Sequence, residues 1–194
     1  MCIGRRNVFT IECREILLRE FESADLEAFH ALTWQPEIYD MLPGWNVSKE
    51  QRETWLQNFE IPDNRRFLHA VSVGGDVGEL RLRLGIVLQA TGELIGWCCT
   101  GIKHELPPPN REVVFAISKE HRGLGYTTQA VQAMIAYLFE RTNVEVLLAL
   151  ALIRNIPSNR VIQKCGFVFQ SDMEIECEKY NVYKLSKSVW EINQ

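Results

Sequence analysis

The stretch "SKEHRGLGYTTQA", Ser118–Ala130, decides how the chain is read. It lies between the apolar run "VVFAI" and the run "VQAMIAYLFER", where Ala130, Val131, Met134, Ile135 and Leu138 recur at helical spacing. A strand therefore enters a glycine-containing turn and a helix leaves it. The first amides of a helix have no intrahelical partner and carry partial positive charge, which makes such a turn a ready anion site. Gly123 and Gly125 remove the Cβ atoms that would hold a phosphate off the backbone, Arg122 adds a formal charge, and Thr127 and Thr128 offer hydroxyls. The same residues also suit a tight turn with no ligand, and the local sequence leaves both readings open.

Two nucleotide patterns fail here. GxxxxGK[ST] needs a lysine that does not follow Gly125, and GxGxxG needs a third glycine where Thr128 stands. No ribose-binding carboxylate is evident roughly 20 residues on, which also weighs against a flavin or nicotinamide protein.

Downstream, "VEVLLALALI" is the near-continuous apolar run of a strand buried on both faces. "PSNRVIQKCG" reads as a short helix from near Pro157 to Gly166. Asn155 and Ser158, taken alone, read as helix caps. "FVFQSD" and "YNVYKLSKSVW" read as closing strands. Upstream, "REVVFAIS" is a strand and "ELPPPN" a loop, since three prolines remove three backbone donors. "LRLRLGIVLQ" and "ELIGWCCTGI" form a hairpin through "ATGE". "REILLRE" reads as a strand and "ESADLEAFHALT" as a helix capped by Ser23. "QPEIYDMLPGWNV" is irregular. Ser48 with Gln51 gives "SKEQRETWLQNF" a capping-box start. Residues 63–82 are ambiguous, with "DNRRFLHAVSV" leaning to a short helix and "GGDVGE" a turn. The order βαα, ββ, βαβα, ββ predicts one α/β domain, residues 1–194, around a mixed sheet, with 1–13 an N-terminal extension.

At 194 residues, 46% of them apolar, the chain has material for one core. The net charge of −4, from 21 basic and 25 acidic residues, argues against nucleic acid and suits a neutral or cationic partner. The six cysteines, Cys2, Cys13, Cys98, Cys99, Cys165 and Cys177, show no CxxC spacing and read as reduced thiols. Alternation points the adjacent Cys98 and Cys99 to opposite faces. "MCIGRRNVFTIECRE" is too charged for a signal peptide and no run reaches membrane-spanning length, so a soluble cytoplasmic protein is expected. The four histidines share no metal spacing, so no metal is expected. His121, beside the turn, reads as an exposed loop residue, and Cys165 as a small buried residue, not a nucleophile.

Together, R-x-x-G-x-T (Arg122–Thr127) and N-x-x-S-x-x-V-x-x-K-x-G-F (Asn155–Phe167) resemble the GCN5-related N-acetyltransferase (GNAT) family. "EILLREFESADLEAFHALTWQPEIYDMLPGW", "TGELIGWCC" and "GYTTQA" are similar to its branch of ribosomal-protein alanine N-acetyltransferases. The resemblance covers the chain from about Arg14; "FLHAVSVGGDVGELRLRL" is its least typical part.

The resemblance implies an α/β sheet flanked by helices and splayed between its fourth and fifth strands, "REVVFAIS" and "VEVLLALALI". It implies acetyl-CoA as cosubstrate, with the pyrophosphate on the turn Arg122, Gly123, Leu124, Gly125, Tyr126 and Thr127. The pantetheine arm would run beside Phe115, Ala116 and Ile117, with Asn155 bonded to it and Ser158 near the thioester. A neutral primary amine would attack the thioester directly in a ternary complex. Glu112 is the candidate base, with a surface carboxylate pairing Arg111 as the bland alternative. The tyrosine that many members place in the second motif is absent, since Ile162 stands there, and Ser158 takes its place as the group that protonates the thiolate. Thr127 stands where glycine or alanine is usual. Trp34, Tyr39, Trp45 and Trp55 form either an aromatic acceptor wall or packing. The acceptor is open between a ribosomal-protein N-terminus, another peptide and a small amine, and a homodimer is left open. The competing reading is a non-catalytic CoA-binding or sensing module of the same fold.

Overall fold

The computed structural model describes residues 8–193. Its strands form one open sheet in the order β1-β2-β3-β4-β5-β6-β8-β7. These are β1 (Thr10–Glu12), β2 (Ile16–Glu20), β3 (Leu82–Leu88), β4 (Leu94–Ile102), β5 (Arg111–Ile117), β6 (Val146–Leu152), β7 (Val168–Ile175) and β8 (Glu178–Ser186). Neighbours are antiparallel except β5 and β6, which are parallel and share one register pair, Glu112 opposite Leu148. By contrast, β4 and β5 pair along seven positions from Gly96↔Ile117 to Ile102↔Arg111. The sheet is thus continuous up to β5 and opens beside it, at the expected splay.

The helices are α1 (Leu26–Thr33), α2 (Pro36–Tyr39), α3 (Lys49–Trp55), α4 (Ile61–Ser72), α5 (Tyr126–Arg141), α6 (Ile156–Lys164) and α7 (Lys187–Ile192). Alternation along the strands divides the core in two. Val113, Ile117 and Cys98 pack with Ala130, Met134, Ile135 and Leu138 of α5 on one face. Ala116, Trp97 and Cys99 pack with Phe29, Leu32 and Leu56 on the other. Cys98 and Cys99 therefore serve opposite faces, as alternation requires.

Between α3 and α4 the chain makes a π turn, Leu56–Glu60. The buried residues along this arm are Arg52, Leu56, Glu60, Asn64 and Phe67. Steps of four drift about 40° each around an α-helix. The wider turn absorbs that drift and keeps all five on the sheet side.

Four details differ from the sequence reading. Residues 10–12 are not outside the sheet: β1 pairs with β2, and Phe9, Ile11 and Cys13 pack on the larger core. Cys2 lies outside the described residues. Ser23 is not the cap; Glu22 and Asp25 form a reciprocal box, because Asp25 is also fixed by two 2.7 Å bonds from Arg19. The irregular segment contains α2, started by Pro36 in its first turn. The last strand stops at Ser186, whose hydroxyl accepts from the Val189 amide and opens α7. Among the described residues, no helix is long and apolar enough to cross a membrane.

Candidate active site

The turn after β5 has the shape that the sequence suggests. Gly123 and Gly125 have φ of +77° and +83°, and a Cβ at either would meet nothing within 4 Å. Other residues adopt that conformation only with strain, and the space above the two glycines is open. Gly125 is the cap position of α5, and no side chain caps that end. The helix therefore presents its first amides outward. Leu124 is exposed, whereas Tyr126 packs against the core below. Arg122 leans sideways: its Nη2 donates to the Glu37 carbonyl at 2.8 Å, while Lys119 pairs with Glu37 at 2.6 Å. The turn is thereby tied to α2. His121 is not an exposed loop residue. Its side chain is 16% exposed, beside Tyr126, and its Nε2 lies 3.9 Å from Glu93.

Across the opening, Asn155 caps α6: its Oδ1 accepts the Ser158 amide at 3.2 Å. Ser158 is therefore capped rather than capping, and its hydroxyl makes no hydrogen bond among the described residues. The helix is anchored one position further on, by a residue the sequence reading missed. Asn159 is buried; its Nδ2 donates to the carbonyls of Leu152 and Asn155, and its Oδ1 accepts from Asn181 and Tyr183. A buried asparagine in this arrangement fixes where α6 begins relative to β6 and β8. Cys165 is buried, and burial pushes its thiol up to about 12, which leaves no thiolate at neutral pH.

Glu112, Val114 and Ala116 face the side of the sheet that carries Trp97 and Cys99; Phe115 and Ile117 face α5. Glu112 does not pair with Arg111, whose guanidinium donates to the carbonyls of Gly78 and Leu80 on the opposite face. Its carboxyl instead stands in the wall of a cavity of about 610 Å³, with Trp45, Trp55, Glu60, Arg81 and Arg83. Burial raises it to about 7; Lys103 and the Leu150 amide hold it down, and Glu105 adds to the rise. A carboxylate at that value exchanges a proton near neutral pH. The strand beneath is pinned by Thr100 Oγ1, which donates to the Glu112 carbonyl at 2.8 Å.

Of the aromatic group, Trp45 and Trp55 line the cavity. Trp34 does not; it is half-exposed, and its Nε1 donates to the Val47 carbonyl at 2.9 Å. Trp45 stacks on Trp97 with centroids 4.9 Å apart, and the Arg83 guanidinium lies 4.9 Å from the Trp45 ring. Behind this wall, Glu60 is shared by the guanidiniums of Arg52 and Arg83. The sequence reading missed this ionic group. Its one available signal was the spacing of Arg52 and Glu60 in register with the inward Leu56, Asn64 and Phe67 along the same helical arm. Asn155, Ser158 and the glycine turn lie outside the cavity wall. Among the described residues there is no group of three or more His, Cys, Asp or Glu side chains that could hold a metal.

A strand, an uncapped helix start and a parted parallel pair are the parts of an acyl-CoA-using transferase, and comparison with known proteins places the chain in that class. The model of the acetyltransferase (GNAT) domain matches residues 15–168, so the chain belongs to the GNAT acetyltransferase family and is an acetyltransferase. It is similar to the uncharacterized N-acetyltransferase YnaD of Bacillus subtilis (strain 168), 23% identical over 156 residues, which are 80% of this chain and 81% of that protein. Its fold is similar to that of a GNAT-family acetyltransferase from Bacillus anthracis, with a TM-score of 0.74 and 18% identity over 93% of this chain and 99% of the other. It is also similar to that of the RimL ribosomal L7/L12 alpha-N-protein acetyltransferase in complex with coenzyme A, with a TM-score of 0.73 and 18% identity over 92% and 98%. The family supports the use of acetyl-CoA.

Proposed function

We propose that this chain, acting as one domain in the cytoplasm, transfers acetyl from acetyl-CoA to a primary amine by direct attack. The observation that supports it most is the place of Glu112. It stands where β5 and β6 part, with its carboxyl in a cavity wall and poised near 7. An amine reaching the thioester arrives as ammonium, and Glu112 takes its proton, directly or through water. The pyrophosphate rests on the amides from Arg122 to Thr127. The pantetheine arm pairs with the backbone of Phe115, Ala116 and Ile117 along the open side of β5. Asn155 orients the arm, and the Ser158 hydroxyl, without another partner, donates to the departing thiolate. A backbone N–H near Val114 and Phe115 receives the developing oxyanion.

In the balanced step, Glu112 takes one proton from the ammonium and releases it to solvent, the neutral nitrogen bonds to the acetyl carbon, the C–S bond breaks with its electron pair on sulfur, the second nitrogen proton passes to Glu112, and Ser158 gives its proton to the thiolate and regains one from water. The acceptor is a protein N-terminus, another peptide or a small amine. The test is thiol release from acetyl-CoA against a panel of amines and peptides, read beside thermal shifts with acyl-CoAs. Amine-dependent release supports the reading, and the absence of a shift with every acyl-CoA overturns it.

A further inference from the structure

The cavity beside Glu112 has its own charge pattern, less acidic than the chain as a whole. Its wall carries Glu60, Asp63 and Glu112 against Arg66, Arg81 and Arg83. Asp63 is paired with Arg66, and Glu60 is shared between Arg83 and the fully buried Arg52 behind it. That leaves one positive charge in excess at Glu60. Arg81 makes no ion pair among the described residues. The acids of the adjoining hollow, Asp76 and Glu79, do not pair with it, and Asp76 is engaged by Asn143. A net charge of −4 suits a cationic acceptor, but here the wall charges cancel, three acidic against three basic, and Arg52 behind Glu60 tips the site positive.

The geometry is specific. Arg81 directly precedes β3, and Arg81 and Arg83 share a face because side chains alternate. Arg83 stands opposite Cys99, and Cys99 opposite Val114. In the next row Gly101 stands opposite Glu112. Gly101 has no side chain, and Arg81 lies across the vacant position: a Cβ there would come 3.2 Å from Arg81 Cγ and 3.5 Å from its Cδ and Nε. The stem of an unpaired arginine therefore lies over β4, in the cross-strand row that ends at Glu112 on β5, and both residues line the same cavity.

We infer that Arg81 is a specificity-determining residue that binds a carboxylate carried by the acceptor amine, so that the preferred acceptor is an amine with a carboxylate a few bonds from its nitrogen. The inference rests on the amine-acetylation reading above. Guanidinium and carboxylate match as a two-pronged pair, and Arg81 is exposed, so it is open to an incoming carboxylate. The carboxylate comes either from an acidic side chain at the start of a peptide or from a free amino acid.

The experiment compares kcat/KM for acceptors matched except for that group. One arm sets peptides opening with Asp against the same peptides opening with Asn. The other sets free ω-amino acids against their carboxamides. About tenfold preference for the carboxylate is expected in the arm that holds the true source, the size of one charge-assisted contact. Arg81→Gln should bring the ratio toward one, chiefly through KM, and Arg81→Lys should retain part of it. Acetyl-CoA affinity measured alongside separates lost selectivity from lost folding. Equal use of both members in both arms, or an unchanged ratio in Arg81→Gln, overturns this inference while leaving amine acetylation standing. No transfer to any amine overturns both.

Discussion

Glu112 faces Leu148 across β5 and β6, and the parallel ladder holds only that pair among the described residues. The one residue of β5 that still pairs with β6 is thus also the carboxylate raised toward neutrality, and this coincidence makes it testable in two independent ways.

The first concerns rate. With Glu112 near 7, the base form grows as pH rises through that value, so kcat/KM should climb across pH 6–8 and then level. Glu112→Gln should lower turnover by roughly 10²–10⁴-fold and flatten that limb while acetyl-CoA affinity holds. A variant with full turnover would remove Glu112 from the mechanism; retained binding with no turnover in the parent would favour the non-catalytic module.

The second concerns stability. The carboxyl is raised above its unfolded value of 4.5, so its contribution is fully present below about 4.5 and lost as pH rises through about 7. Above that pH the folded protein holds a partly buried charge at a cost on the order of 1–3 kcal/mol. Glu112→Gln should therefore melt higher than the parent at pH 8–9 and lose that advantage near pH 4. Melting curves at the two pH values decide it.

Ser158 offers a cleaner separation of chemistry from structure. The cap of α6 uses the Asn155 side chain and the Ser158 backbone, not the serine hydroxyl. Ser158→Ala should leave the urea midpoint nearly unchanged and lower kcat at least about tenfold, with KM for acetyl-CoA little altered. Asn155→Ala should instead cost about 1 kcal/mol of stability as well as affinity.

In the turn, Gly125→Ala meets no steric obstacle but holds alanine at φ +83°. That strain costs about 1–2 kcal/mol. The expected results are a lower melting temperature and a several-fold weaker acetyl-CoA affinity, read by calorimetry.

Asn159→Ala would remove four side-chain hydrogen bonds, to the Leu152 and Asn155 carbonyls and from Asn181 and Tyr183, leaving those last two only their 3.5 Å contact with each other. A loss of about 2–4 kcal/mol in urea unfolding is expected, with a raised KM for acetyl-CoA as α6 loosens.

The strand, glycine turn and helix from Arg111 to Arg141 were legible because each feature is local: alternation, two glycines, a helical stripe. The buried run of β6 was legible for the same reason. Three-residue β1 was not, since its charged neighbours mask a pairing that only β2 reveals. The end of β8 was missed because Val189 and Trp190 favour strands, and the stop depends on one serine hydroxyl. Arg52, Glu60 and Arg83 lie on two helical segments and a strand, and charged residues on such elements ordinarily face water. The partnership of Arg81 with Gly101 depends on strand register, which no local pattern contains.

The π turn at Leu56–Glu60 also has a consequence for how this segment tolerates insertions and deletions. Removing one residue there would rotate everything downstream by about 100° until the next loop. Asn64, which bonds both the carbonyl and the amide of Arg83, would swing off β3, and Phe67 would leave the core. The segment from Lys49 to Ser72 should therefore accept point changes on its outer side far more readily than any change in length, and length variants should concentrate in the turn that follows Ser72.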